Sequence, residues 1–101
     1  MLKTKGNIAT IMMSEKIKTE CQLLEKLLIN KNKKYGDSFT KTANEYGNVV
    51  LVLRIEDKLN RLKQLLLNNE PDTLKGENVL DTLLDLAGYS LLAKIYLQNK
   101  R

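Results

Sequence analysis

Apolar residues recur every three or four positions in three stretches of the chain, which is the spacing of one face of an α-helix. In the first stretch, Ser14 is a good N-cap and Glu15 stands in the first turn. The apolar stripe that follows contains Ile17, Cys21, Leu24 and Leu28, widened by Leu23 and Leu27. We predict a first helix at 14–31 after a loosely ordered leader at 1–13, with an earlier start near Asn7 as the alternative.

The second stretch, residues 48–69, has the most regular apolar spacing and predicts the longest helix. The stripe expected to face the core is formed by Val52, Ile55, Leu59, Leu62 and Leu66. Asn, Pro, Asp and Gly cluster at 68–76 and predict a loop. The third stretch predicts a helix at 78–99, and Glu77 or Asn78 opens it. Its wide apolar face is formed by Leu80, Leu83, Leu84, Ala87, Leu91 and Ile95.

The whole chain therefore reads as an all-α protein, since it has one proline, few glycines and helical periodicity in each long stretch. Its 101 residues fit a single domain, 1–101. We predict a small helical bundle of three main helices plus a short helix at 40–46. Because a domain of this size buries only a modest core, we expect it to form a larger bundle as a homodimer or homotetramer.

Composition narrows the possible chemistry. The chain has no histidine and a single cysteine, Cys21, which excludes Cys/His zinc sites, histidine-based triads and an internal disulfide. Any metal must then have oxygen ligands, which favours Mg²⁺ or Mn²⁺. The net charge of +5 favours anionic partners, although lysines that only keep a Leu-rich protein soluble are the simpler explanation at both termini. With no bilayer-length apolar run and no signal peptide, we expect a cytoplasmic protein without a membrane partner.

Carboxylates at helical spacing are the main candidates for chemistry. Glu77, Asp81 and Asp85 are four residues apart, so their side chains should lie one above the other on a helix. Buried carboxylates are normally paired or bound to a metal. Glu56 and Asp57 form a second acidic patch on the preceding helix. We interpret the two patches as a site for a divalent cation held against nucleotide phosphates, and a solvated face with local salt bridges as the alternative for the patch at Glu56.

The segment KNKKYGDSF, residues 31–39, combines cations, an aromatic ring and hydroxyl groups. Gly36 permits a turn, and Asp37 or Ser38 could cap the helix that follows. Such a set could hold a phosphate and stack a base, and a plain connecting turn is nearly as well supported. Gly88 inside the last helix indicates that another helix or a ligand approaches closely, and helix packing is the commoner reason.

Three blocks occur in a specific order and spacing: KNKKYGDSF, then RIEDKLNRL, then ENVLDTLLDLAGY. Together, over roughly residues 31–97, they resemble the nucleotide-modification-associated domain, type 1, a small all-α family common in phages and prophages. More distantly the chain resembles the MazG-like, all-α nucleoside triphosphate pyrophosphatases, which carry Glu-Glu-x-x-Glu on one helix and Glu-x-x-Asp on the next. Glu56 and Asp57 match the first motif, but Asn60 replaces its final acid. Asp81 and Asp85 match the second at a spacing of four rather than three.

The resemblance implies Mg²⁺-dependent hydrolysis of a (modified) NTP or dNTP to a nucleoside monophosphate and pyrophosphate. The catalytic acids that it implies are Glu56, Asp57, Asp81 and Asp85. The metal ligands that it implies are Asp57, Glu77, Asp81 and Asp85. The substrate contacts that it implies are Lys34, Tyr35, Asp37, Ser38, Lys58, Asn60, Arg61 and Tyr89.

Other functions remain open beside hydrolysis. Because Asn60 removes an acid from the motif, the protein could instead bind a nucleotide without hydrolysing it, either to sequester a signal or as an accessory of nucleotide modification. A plain helical interaction module is the third interpretation. The resemblance further implies a nucleotide ligand, no direct nucleic-acid binding, and a phage- or prophage-encoded protein in the cytoplasm of a bacterial host.

Overall fold

Four helices make up the fold, which is known from a computed structural model that describes residues 5–68 and 78–100, with side chains from residue 12 onward. They are α1 (Lys5–Lys34), α2 (Ser38–Tyr46), α3 (Val49–Leu66) and α4 (Val79–Asn99). The described part of the chain contains no strand, and the predicted all-α class is confirmed. No helix in these ranges is long and apolar enough to cross a membrane.

The first helix differs most from its predicted bounds, because α1 begins at Lys5 rather than at Ser14. The leader predicted at 1–13 is thus helical from residue 5 onward, and the alternative start near Asn7 was closer. No proline stands between Lys5 and Ser14, so a good N-cap residue can simply lie inside a longer helix when the residues before it also favour helix. The predicted loop at 68–76 falls almost wholly outside the described residues.

Helices α3 and α4 pack side by side and run antiparallel, as their short connection suggests. At one end, Lys100 Nζ donates a hydrogen bond to Asn48 Oδ1 at 3.1 Å. Further along, Lys58 of α3 meets Asp85 of α4. Helix α2 packs on this pair and is joined to α3 by a sharp corner at Gly47. The φ of 87° and ψ of −172° at Gly47 are essentially restricted to glycine. The core where the three helices meet contains Phe39, Ala43, Val50, Leu51, Ala93 and Tyr96.

Much of each apolar face remains uncovered in the single chain. The predicted core stripe of α3 is wrong for Val52, Leu59 and Leu66, which are exposed, whereas Leu62 is buried and Ile55 half-buried. The reason is that α3 turns a neighbouring side inward, which buries Val50, Leu51, Leu62 and Leu65. The prominent exposed residues on the other predicted stripes are Ile17, Leu23, Leu80, Leu83, Leu91 and Ile95.

The overall dimensions agree with this incomplete burial. The Cα radius of gyration is 17.1 Å, and the principal extents are 59 × 38 × 23 Å. A compact domain of this length has a radius of gyration of about 13 Å. Helix α1 accounts for the difference, because its 30 residues reach well beyond α4, the helix on which it packs.

Candidate functional site

A cavity of about 400 Å³ lies between the C-terminal half of α1, the α1–α2 turn and α4. Polar and aromatic side chains face it beside a leucine-rich wall. The lining residues are Leu27, Leu28, Lys31, Asn32, Tyr35, Ser38, Phe39, Leu84, Asp85, Gly88, Tyr89 and Leu92. The cavity thus joins the basic, aromatic segment at 31–39 to the acidic segment of α4, which are far apart in sequence.

Asp85 of α4 forms ion pairs with lysines of two other helices, α1 and α3. Its Oδ2 lies 3.4 Å from Lys58 Nζ of α3, and its Oδ1 lies 3.9 Å from Lys31 Nζ of α1. The Asp85 side chain is 30% exposed, so water screens both contacts and each stabilises the fold by about 1 kcal/mol or less. Two ammonium groups on one carboxylate leave a net positive charge at the cavity, which favours an anionic ligand.

Aromatic rings also line the cavity. Tyr89 of α4 stacks with Phe39 of α2, with ring centroids 6.2 Å apart and an interplanar angle of 24°. The pair ties the start of α2 to the middle of α4. Tyr35 lies at the cavity edge with 62% of its surface exposed, so its ring is accessible to a flat ligand.

The turn between α1 and α2 positions Tyr35 and Ser38. Gly36 and Asp37 adopt consecutive left-handed conformations, with φ values of 61° and 55°. Asp37 does not cap α2 with its side chain; instead its Oδ1 accepts a hydrogen bond from Thr40 Oγ1 at 2.8 Å. Because Asx residues tolerate the left-handed region, this contact can stabilise the turn at little cost. The Ser38 side chain is left on the cavity side.

Gly88 allows α1 to approach α4 at the cavity floor. A Cβ atom at this position would lie 2.9 Å from Leu28 Cδ2 and 3.8 Å from Leu24 Cδ1. Both leucines belong to the predicted stripe of α1 and are half-buried. The close helix approach predicted from Gly88 is confirmed, and the same contact shapes the cavity.

The fold brings together part of the residue set predicted from the sequence. Tyr35, Ser38, Asp85 and Tyr89 line one cavity, and Lys58 joins them through its ion pair with Asp85. The predicted substrate contacts that do not line this cavity are Lys34, Asp37, Lys58, Asn60 and Arg61, of which Lys58 is connected to it through Asp85.

The predicted acids are more dispersed. Glu56 lines a separate groove between α3 and α4. Asp57 is exposed on α3, while Asp81 is half-buried one turn before Asp85. Glu77 lies outside the described residues. Among the described side chains, no group of three or more acidic or cysteine residues could hold a metal ion, so the four-ligand site stays a prediction.

Sequence reasoning missed Lys31 and Asn32 as individual contacts. Lys31 lies one helical turn after Leu27 and Leu28 and one turn before Tyr35. It therefore falls on the same face of α1 as the apolar stripe. A lysine at the end of an apolar stripe is a signal that could have identified it, because its stem packs with the stripe while its ammonium reaches outward.

These features define a small all-α protein with a cation-bearing, aromatic-walled cavity. The chain matches the family described as nucleotide modification associated domain 1 over residues 31–97. This match covers most of the chain, and the protein belongs to that family. The matched region includes Lys31, Lys58 and Asp85, the three charged residues that meet at the cavity. No curated protein and no solved structure gave a significant match.

Proposed function

We propose that this protein binds a nucleotide in the cavity at Asp85, with the phosphates near Lys31 and Lys58. The observation that carries the proposal is the convergence of two lysines, from α1 and α3, on one carboxylate beside the cavity. A phosphate group bears more charge than a single carboxylate and forms strong charge-assisted hydrogen bonds with lysine. Membership in a family named for nucleotide modification supports the same ligand class.

The remaining lining residues suit the other parts of a nucleotide. The cavity volume of about 400 Å³ falls in the usual range for small-molecule sites, roughly 300–1,000 Å³. Tyr35 offers an accessible ring on which a base could stack, and Asn32 and Ser38 offer polar contacts. The leucines at 27, 28, 84 and 92 would exclude water from the base.

Hydrolysis is the second candidate, and the arrangement of Asp81 and Asp85 on consecutive turns of α4 favours it. Both residues are half-exposed, so a hydrated ion could reach them. Magnesium typically takes one or two protein carboxylates together with phosphate oxygens and water, so these two acids are sufficient, with Asp57 and Glu77 as further candidates. When bound, the ion would neutralise phosphate charge and activate water for attack on the α-phosphorus, releasing pyrophosphate and a nucleoside monophosphate.

Thermal stabilisation by a panel of nucleotides, with and without Mg²⁺, tests binding, because a ligand that binds only the native state raises its stability. We expect Lys31→Gln and Lys58→Gln each to weaken binding by about tenfold, the effect of one lost charge-assisted hydrogen bond. Lys63→Gln is the matched control, since it removes an exposed lysine from the same helix as Lys58. A protein that no nucleotide stabilises, or an equal loss in the Lys63 variant, would reject the site.

Asp85→Asn separates the two candidates in the same assay. If the ligand binds without a metal, removing this carboxylate eliminates its repulsion of the phosphates, and affinity rises. If Mg²⁺ bridges Asp85 to the phosphates, affinity in Mg²⁺ falls and hydrolysis stops. Recovery of intact ligand from the denatured wild-type complex supports a binder that sequesters its nucleotide, whereas recovery of monophosphate and pyrophosphate supports the hydrolase. From the resemblance we further propose that the protein is phage- or prophage-encoded and acts in the host cytoplasm.

A further inference from the structure

The nucleotide cavity lies between parts of the chain that touch each other over a short stretch. One side of it is formed by the C-terminal half of α1, and the other by α4 and the start of α2. Helix α3 packs along much of α4, whereas α1 meets α4 near Gly88 and Asp85. The cavity therefore has its observed shape only while α1 lies against α4.

Helix α1 contributes little to the core that holds the other helices together. All the residues of the main core belong to α2, α3 or α4, and no side chain described for α1 is buried. Leu24 and Leu28, which meet Gly88, are half-buried, and the Lys31–Asp85 pair is 3.9 Å long with the lysine side chain 50% exposed. A segment with so little buried surface can open locally at a low cost in free energy while the core stays folded.

The turn between α1 and α2 is suited to act as a hinge. Gly36 and Asp37 have consecutive positive φ values of 61° and 55°, and glycine can adopt many other backbone conformations. Phe39 and Ala43, soon after the turn, are anchored in the core. Hinges are usually a few residues between elements that absorb a change in φ and ψ. A change at these two residues would move α1 and leave α2 in place.

We propose that α1 is a movable wall of the nucleotide cavity, which rotates about the turn at 36–37, docks on α4 at Gly88 and is held closed by the bound nucleotide. This inference rests on the nucleotide site proposed above and assigns a means of regulation to it. Phosphates that contact both Lys31 of α1 and Lys58 of α3 join the movable wall to the core. Since the ligand meets both sides of the cavity only in the closed form, it binds that form more tightly and shifts the population toward it.

Gly88 is then a positioning residue for Lys31, because it determines how closely α1 docks. A Cβ atom at this position would lie 2.9 Å from Leu28 Cδ2, so Gly88→Ala should displace Leu28 and lower the fraction of closed chains. The apparent affinity falls in proportion to that fraction, and we expect a loss of roughly threefold to tenfold. Alanine favours a helix more than glycine does, so weaker helix formation in α4 would not explain the loss.

The matched control for this variant is Ser90→Ala, which introduces the same residue at an exposed position on the same helix. Ser90 does not line the cavity, and its hydroxyl only donates to the Leu86 carbonyl oxygen of its own helix. We therefore expect Ser90→Ala to keep the wild-type affinity. Both affinities are measured by thermal stabilisation with a mixture of the common ribonucleoside and deoxyribonucleoside triphosphates.

The position of α1 can be measured directly by pulsed electron paramagnetic resonance between two nitroxide labels. Cys21, the single cysteine of the chain, is exposed on α1, and Lys63→Cys adds a second labelling site on the exposed side of α3. We expect a broad distribution of distances between positions 21 and 63 without ligand, and a narrow one when the triphosphate mixture is added. The control carries Cys21→Ser, Lys63→Cys and Lys94→Cys, so that both labels lie on α3 and α4, and its distribution should not change.

The two measurements distinguish failure of this inference from failure of the nucleotide site. If the triphosphates stabilise the protein but leave the distances between positions 21 and 63 unchanged, α1 is a fixed wall and the inference is overturned, while the site stands. Equal affinities of the Gly88→Ala and Ser90→Ala variants overturn the positioning role of Gly88. If no nucleotide stabilises the wild-type protein, the site itself fails and the inference fails with it. A distribution that narrows with ligand in the wild-type chain, and less in the Gly88→Ala chain, supports the movable wall.

Discussion

Asp85 shows how a residue's chemistry depends on neighbours that are distant in the chain. Its spacing from Asp81 suggested a cluster of acids, but in the fold it forms ion pairs with Lys31 and Lys58. A carboxylate between two lysines has ion-pair partners without a metal. The sequence identified the residue, whereas the packing of α1 and α3 determined its partners.

The close contact between Gly88 and Leu28 can be tested by its effect on stability. We expect Gly88→Val to lower the free energy of unfolding by about 1–3 kcal/mol, because its side chain would overlap Leu28 where α1 and α4 approach closely. Ala87→Val, at the exposed neighbouring position, should cost less than about 0.7 kcal/mol through helix propensity alone. Urea denaturation of both variants measures the difference. Propensity alone would make the Gly88 variant the more stable of the two, so that order would contradict the close contact.

Among the elements, α4 is a helix whose start the sequence predicted to within one residue. Asn78 was one of two residues expected to open it, and its Oδ1 accepts a hydrogen bond from the Asp81 backbone N–H at 2.7 Å. Asp81 also stands in the first turn, where its charge complements the helix dipole. Both features are local, which is why sequence reasoning found this helix start and failed at α1, where a good N-cap residue lies inside a longer helix.

The contribution of the Asn78 cap to stability can be measured by substitution. Asn78→Ala should lower the free energy of unfolding by about 1 kcal/mol, because it leaves the Asp81 N–H without its acceptor. Asn78→Asp is the matched control and should retain most of the stability, since its carboxylate can accept the same bond. Equal stability of the Ala and Asp variants in thermal denaturation would show that the cap does not hold α4.

For the whole molecule, the main features are the long reach of α1 and the exposed apolar residues on the described helices. The radius of gyration and the exposed residues of α3 both follow from packing three helices closely while α1 meets the rest mainly near Gly88. A sequence pattern marks which residues prefer burial, and it does not say whether the same chain or a second copy buries them.

The homodimer or homotetramer expected from the sequence predicts that thermal stability depends on protein concentration. When a folded dimer unfolds to two chains, a tenfold rise in concentration adds about 1.4 kcal/mol to the apparent stability, and the Tm should rise by several degrees. Scanning calorimetry over a hundredfold concentration range measures this dependence. A wild-type Tm that stays constant across that range would indicate a folded monomer.

By itself, the sequence determined the all-α class, the bounds of α3 and α4 to within a few residues, the close approach at Gly88 and the family, because periodicity, caps, glycines and motifs are properties of short segments. Only the tertiary structure decided that Tyr35, Ser38, Asp85 and Tyr89 share one cavity with Lys31, that Glu56 belongs to a separate groove, and that Val52 and Leu59 stay exposed. These relations depend on the rotation of each helix about its axis and on the point at which α1 crosses α4. The packing of the whole chain sets both quantities, and a linear pattern does not contain them.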